Sequence, residues 1–146
     1  MNAMKPVTFT LEEANLLLPQ LQEELIKLQL LAQQFEMKFE MLHQLKEKRR
    51  NGSMPVNGGN GEDPYFELES QLEFMRMEVE LAVGNFERKG VMLKMINPGL
   101  IDFPSILNGE EILICWKQGE ERATHYHGYD DGFRGRKRYP DAGLTN

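Results

Sequence analysis

Two histidines, His125 and His127, lie two positions apart in a segment that reads as a β-strand. Side chains two apart on a strand share a face. The pair therefore offers two neutral imidazoles to one transition-metal ion, and Asp130 and Asp131 follow closely enough to complete its shell. The competing reading is two ordinary strand or surface histidines. A second chemistry centres on Cys115, the only cysteine. Its thiol is a candidate nucleophile, with His125 or His127 as base and Asp102 as orienter. Against this, a cysteine in a central strand is most often a buried, inert small hydrophobe. The third group is Arg134, Arg136, Lys137 and Arg138, set among glycines. Arginine binds phosphate or carboxylate through two parallel bonds, and glycine lets backbone N–H groups approach an anion. The alternative is a solvated tail, or pairing with the many glutamates. The sequence holds no Walker-type loop, dinucleotide glycine fingerprint or zinc-finger cysteine pair.

Which of these side chains can meet depends on strand register. Asn108-Gly109 is a type I′ hairpin signal, and a two-residue loop there sets Asp102 opposite Cys115. A second two-residue loop at Gly119-Glu120 sets His125 opposite Ile114 and His127 opposite Ile112. The histidines then share a face with Ile112, Ile114 and Trp116, away from Cys115 and Asp102. One extra loop residue reverses the faces. The two-residue turn is the expectation, and the thiol chemistry depends on it.

The elements that carry these residues begin with a capping box. Thr10 caps Glu13, and Glu13 reaches back to Thr10. Ala14, Leu18, Leu21, Leu25, Leu28, Ala32, Phe35, Phe39 and Leu42 then repeat in steps of four and three, a heptad seam. Pro19 lacks a backbone donor and clashes with the preceding turn, so a kink or a fresh helix start is expected there. Lys46, Lys48, Arg49 and Arg50 suit the negative end of the helix dipole. Residues 51–63, rich in glycine and asparagine, read as a flexible loop. Asp63 caps a second helix with Pro64 first. Its seam is Leu68, Leu72, Met75, Val79, Ala82 and Phe86, widened by Phe74, Met77 and Leu81, and Gly90 is the C-terminal cap. The two seams match, so the helices should pack antiparallel. Strands follow at 91–96, 100–107 (broken by Pro104), 111–117 and 123–127, and a glycine-rich basic tail covers 128–146.

The fold expectation is therefore α+β. A long antiparallel, coiled-coil-like helical hairpin (10–90) precedes a β-meander of three to four strands (91–127) and an irregular C-terminal tail, in a single domain. The third strand is apolar on both faces, so either the tail, through Phe133 or Tyr139, or another subunit must cover one of them.

Composition narrows the function classes. The chain has 146 residues, of which 40% are hydrophobic, and this excludes a disordered or fibrous class. No apolar run approaches the roughly 20 residues that span a bilayer, and the opening residues lack a signal-peptide core. A lone cysteine allows no intrachain disulfide, which fits a reducing cytoplasm. The net charge of −6 argues against broad phosphate-backbone binding, so nucleic acid is not an expected partner.

Several motifs resemble a bacterial family, number 2203 in the domain-of-unknown-function series. They are Phe9-Thr10-Leu11-Glu12-Glu13-Ala14-Asn15, residues 90–94, Gly99-Leu100-Ile101-Asp102-Phe103-Pro104, Cys115-Trp116-Lys117-Gln118-Gly119-Glu120, His127, and Gly132-Phe133-Arg134-Gly135-Arg136. They cover nearly the whole chain in order. The resemblance implies that the motif positions cluster in the sheet half, and it brings no established activity. Tyr126 departs from the tryptophan expected before that histidine, which bears on any stacking role there.

Two functions stay open from sequence. One is a non-catalytic interaction or regulatory module acting through the hairpin or an open sheet face, as a homodimer. The other is a small metal- or anion-binding protein or enzyme with its site at Asp102, Lys117, Glu120, His127 and Arg136. No cofactor is identified beyond a transition metal at His125, His127, Asp130 and Asp131.

Overall fold

A computed structural model of the chain describes residues 7–52 and 63–140. Most of the glycine- and asparagine-rich loop (53–62) and the last residues of the tail (141–146) lie outside the described residues. The elements are α1 (Leu11–Arg50), α2 (Pro64–Arg88), β1 (Met92–Met95), β2 (Leu100–Leu107), β3 (Glu110–Lys117), β4 (His125–His127), a 3-10 turn (Phe133–Gly135) and β5 (Lys137–Arg138). The class is α+β. The chain forms two compact units: a sheet unit, Met1–Ile26 with Val83–Asn146, and a hairpin unit, Lys27–Ala82. Among the described residues, no helix is long and apolar enough to cross a membrane.

Local signals set the helix ends. Thr10 N–H donates to Glu13 Oε1 at 2.8 Å, and Glu13 N–H donates to Thr10 Oγ1 at 3.0 Å, which completes the capping box. Tyr65 N–H donates to Asp63 Oδ1 at 3.0 Å, so Asp63 caps α2 and Pro64 takes its first turn. At the other end of α2, Gly90 N–H bonds Glu87 O at 2.9 Å and Val91 N–H bonds Phe86 O at 3.2 Å, a Schellman stop. Gly90 has φ +87°, and a Cβ there would meet Val7 Cβ at 2.8 Å.

Pro19 does not kink off a separate first turn, contrary to the sequence expectation: α1 runs as one helix from Leu11. Tertiary packing grips the helix on both sides of the proline. Leu18 and Leu21 are 2% and 0% exposed. Asn15 accepts from Ala123 N–H at 2.7 Å and donates to Ala123 O at 3.1 Å. These contacts offset the missing donor.

Within the hairpin unit, Leu42 of α1 packs on Leu68 and Leu72 of α2, with Phe35, Leu45 and Tyr65 around them. The late part of α1 thus meets the early part of α2, the antiparallel arrangement that the matching seams imply. Phe39 departs from the seam reading. It is 47% exposed, lying beside Phe35 and His43 on its own helix.

The sheet has order β1-β2-β3-β4-β5, all antiparallel. Asn108 and Gly109 both have positive φ, 53° and 82°, and Leu107 pairs with Glu110, as a type I′ hairpin requires. Two sequence expectations are corrected. Pro104 does not break β2. Its carbonyl accepts from Phe9 N–H at 2.8 Å, and N and O of one strand residue point the same way. The missing donor therefore faces away from β3, beyond the end of β1. The tail is not wholly irregular either, because Lys137–Arg138 adds a fifth strand beside β4. In β3, the five residues Ile112, Leu113, Ile114, Cys115 and Trp116 are all buried. The chain itself thus covers both faces of that strand.

Candidate functional site

The residues that the sequence singles out are sorted by the register of β4. His125 pairs with Cys115 and His127 with Leu113, one residue away from the register of a two-residue turn at Gly119-Glu120. That expectation is overturned. Residues 118–124 leave the sheet: Gln118 N–H goes to Gly99 O, the Trp116 indole donates to Glu120 O at 2.9 Å, and Ala123 is held by Asn15. The strand re-enters one position later, and both histidines change face. They now share a face with Cys115, which pairs with Asp102, which pairs with Met92.

The result is a buried polar centre. Asp102 is 3% exposed, Cys115 2% and His127 5%. One ligating atom from each lies within 4.8 Å of the others. His127 Nδ1 is 2.8 Å from Gly128 O. A carbonyl only accepts, so Nδ1–H donates to it and Nε2 is the ring nitrogen turned toward Asp102. Nε2 faces Asp102 Oδ2 at 3.3 Å. Burial pushes the Asp102 carboxyl above its ordinary range, while His127, the Cys115 thiol and Lys94 pull it back only in part.

Nucleophilic chemistry at Cys115 is poorly served. Burial first, and the neighbouring Asp102 charge second, push the thiol up to about 12, against a smaller pull from Arg136. The protonated thiol is a weak nucleophile at neutral pH.

Glu120, Lys117 and Arg136 gather nearby around Phe133. Arg136 donates to Glu120 Oε1 at 3.1 Å and Oε2 at 2.6 Å, and its guanidinium lies 4.2 Å from the Phe133 ring centre. Lys117 Nζ is 5.4 Å from the same ring, and Lys117 N–H donates to Glu120 Oε1 at 2.8 Å. Burial works to raise the Glu120 carboxyl, but the bonds from Arg136 and Lys117 together hold it below its ordinary range. The Glu120 bond holds the Arg136 guanidinium above its ordinary range, against a smaller desolvation effect. Arg136 also acts electrostatically on Cys115, which couples this cluster to the buried centre.

Of the five candidate residues, the structure brings Asp102 to His127, and Lys117 and Glu120 to Arg136. Cys115 is the residue missing from that group of five, and one loop residue hid it. The metal set from sequence is dispersed: only His127 belongs to the cluster of metal-ligand spacing among the described residues. His125 Nδ1 lies 2.8 Å from Thr124 Oγ1. Burial and then Arg136 lower the His125 imidazole, Arg138 adds to this, and Glu120 opposes it. Asp131 Oδ2 accepts from Gly128 N–H at 3.2 Å, and Asp130 is exposed.

The hairpin unit carries a different feature. Among its described residues, eight large apolar side chains are exposed, against five buried: Leu28, Leu42, Leu68, Leu72 and Met75. Leu30 and Met37 on α1 are seven apart, as are Phe74 and Leu81 on α2, with Met41 and Met77 alongside. Met41 lies beside Leu45, Leu68 and Pro64 at the margin of the contact between α1 and α2.

The chain belongs to the family described as Uncharacterized conserved protein (DUF2203), which it matches over residues 7–139. Among curated proteins and among solved structures, none matches it.

Proposed function

We propose that this protein is a non-catalytic interaction module that self-associates through the outer faces of its helical hairpin. The observation that carries this reading is the surplus of exposed apolar side chains among the hairpin's described residues, eight exposed against five buried, with Leu30 and Met37, and Phe74 and Leu81, seven apart. Scattered apolar residues on a surface are ordinary; contiguous ones on a two-helix unit leave a large area in water. A second copy supplies an equal stripe with the same period, and a two-fold pairing of identical patches closes on itself. The open sheet face is the weaker interface, because β3 is covered within the chain. The net charge of −6 favours protein over nucleic acid as the partner. A lone buried thiol suits a reducing, cytoplasmic setting.

Self-association makes stability depend on concentration. Thermal melts followed by helix ellipticity should rise in midpoint with protein concentration. Phe74→Lys, at a side chain 64% exposed, should abolish that dependence while leaving the helix signal intact. A midpoint independent of concentration in the unmodified chain would end the proposal.

A further inference from the structure

We infer that Asp102, Cys115 and His127 form a site for a single divalent transition-metal ion of the thiolate- and imidazole-binding class, zinc foremost. The donors come from three adjacent strands, β2, β3 and β4, through side chains on one sheet face. They lie within 4.8 Å of one another and are 2–5% exposed. One sulfur, one nitrogen and one carboxylate oxygen is a donor set that zinc accepts in tetrahedral sites, with a fourth position left to water or another ligand. Zinc bonds of about 2.0–2.3 Å set tetrahedral donors roughly 3.3–3.7 Å apart, so a pair at the 4.8 Å limit closes by about 1 Å around the ion through side-chain rotation.

Two further features fit a metal. The bond between His127 Nδ1 and Gly128 O, 2.8 Å, holds the ring and aims Nε2 inward. A backbone carbonyl holding the far nitrogen is the usual outer support of a metal-bound histidine. Nε2 approaches Asp102 Oδ2 to 3.3 Å, so both donors converge on one point beside the Cys115 sulfur. The charges close as well. On binding, the Cys115 S–H bond breaks, its proton leaves to solvent and the sulfur takes the metal. Thiolate and carboxylate then offset the 2+ ion, while Glu120 offsets Arg136. The site lies in the sheet unit and stands apart from the self-association of the hairpin.

Cobalt(II) is the probe. The full chain, stripped with chelator, is titrated with Co²⁺ and followed in the visible and near ultraviolet. The expected result is one equivalent bound, with ligand-field bands of a tetrahedral site and a thiolate-to-cobalt charge-transfer band that one equivalent of Zn²⁺ abolishes. Cys115→Ser should lose the charge-transfer band. Asp102→Asn keeps the shape and hydrogen bonding of the side chain, and should weaken binding by about a hundredfold while the Trp116 fluorescence stays native. Absence of the charge-transfer band in the unmodified chain overturns the assignment. So does a band that persists in Cys115→Ser, or affinity unchanged in Asp102→Asn. None of these outcomes bears on the sedimentation behaviour of the hairpin, so the two proposals fail separately.

Discussion

Replacing Arg136 with alanine removes two interactions at once, and their sum can be set from the geometry. The guanidinium holds both Glu120 oxygens, at 3.1 and 2.6 Å, with side chains only 17% and 24% exposed. Hydrogen bonds to charged groups are worth roughly 1.5–3 kcal/mol net, and little exposure leaves them less screened than a surface pair. The guanidinium also lies 4.2 Å from the Phe133 ring centre, which contributes about 0.5–1 kcal/mol. Glu120 is not orphaned by the change, since Lys117 N–H still donates to it at 2.8 Å. The expected loss is about 2 kcal/mol, near the lower part of the combined range. Urea unfolding followed by Trp116 fluorescence reads it directly. Trp116 is the sole tryptophan, is 1% exposed, and belongs to the same unit. Arg136→Lys should recover less than half of the loss, because an ammonium cannot take both oxygens in a fork. A loss below about 0.5 kcal/mol, the scale of an unremarkable surface change, refutes the reasoning. Full recovery by lysine refutes it equally.

Three other contacts of the fold can be tested in the same way. Gly99→Ala should destabilise the sheet unit by about 1–3 kcal/mol in urea melts, because a Cβ there collides with the Leu25 side chain. Thr10→Ala should cost about 1 kcal/mol, since it removes one half of the capping box. The carboxyl of Glu120 is held below its ordinary 4.5, so the stability it contributes is present above that pH and is lost as pH falls through the folded value. Acid titration of Trp116 fluorescence should therefore show a shallower loss below pH 4.5 in Glu120→Gln than in the parent chain.

Much of the fold was legible because its signals are local. The capping box at Thr10, the Asp63-Pro64 start, the Gly90 stop and the Asn108-Gly109 turn each need only neighbouring residues to act. What sequence could not give was decided by distant contacts. Pro19 stays inside α1 because Asn15 is tied to Ala123, 108 positions away. Pro104 stays inside β2 because Phe9 takes its carbonyl. The same tie at Asn15 holds the 118–124 connection off the sheet and so sets the register of β4. With it goes the difference between a histidine facing Ile112 and one facing Asp102. Asp102, His127, Glu120 and Arg136 could be named from residue type, but Cys115 joins them only once that register is known. The fifth strand was likewise hidden, since Lys137 and Arg138 carry no apolar alternation and pair through backbone alone.

The central claim is self-association through the hairpin, and sedimentation equilibrium at tens of micromolar tests it most directly. The unmodified chain should sediment at twice its 16.9 kDa mass. A variant with Phe74→Lys and Leu81→Lys, both at well-exposed positions, should return to 16.9 kDa with its far-ultraviolet helix signal unchanged. An unmodified chain that sediments at 16.9 kDa, or a double variant that remains a dimer, contradicts the account.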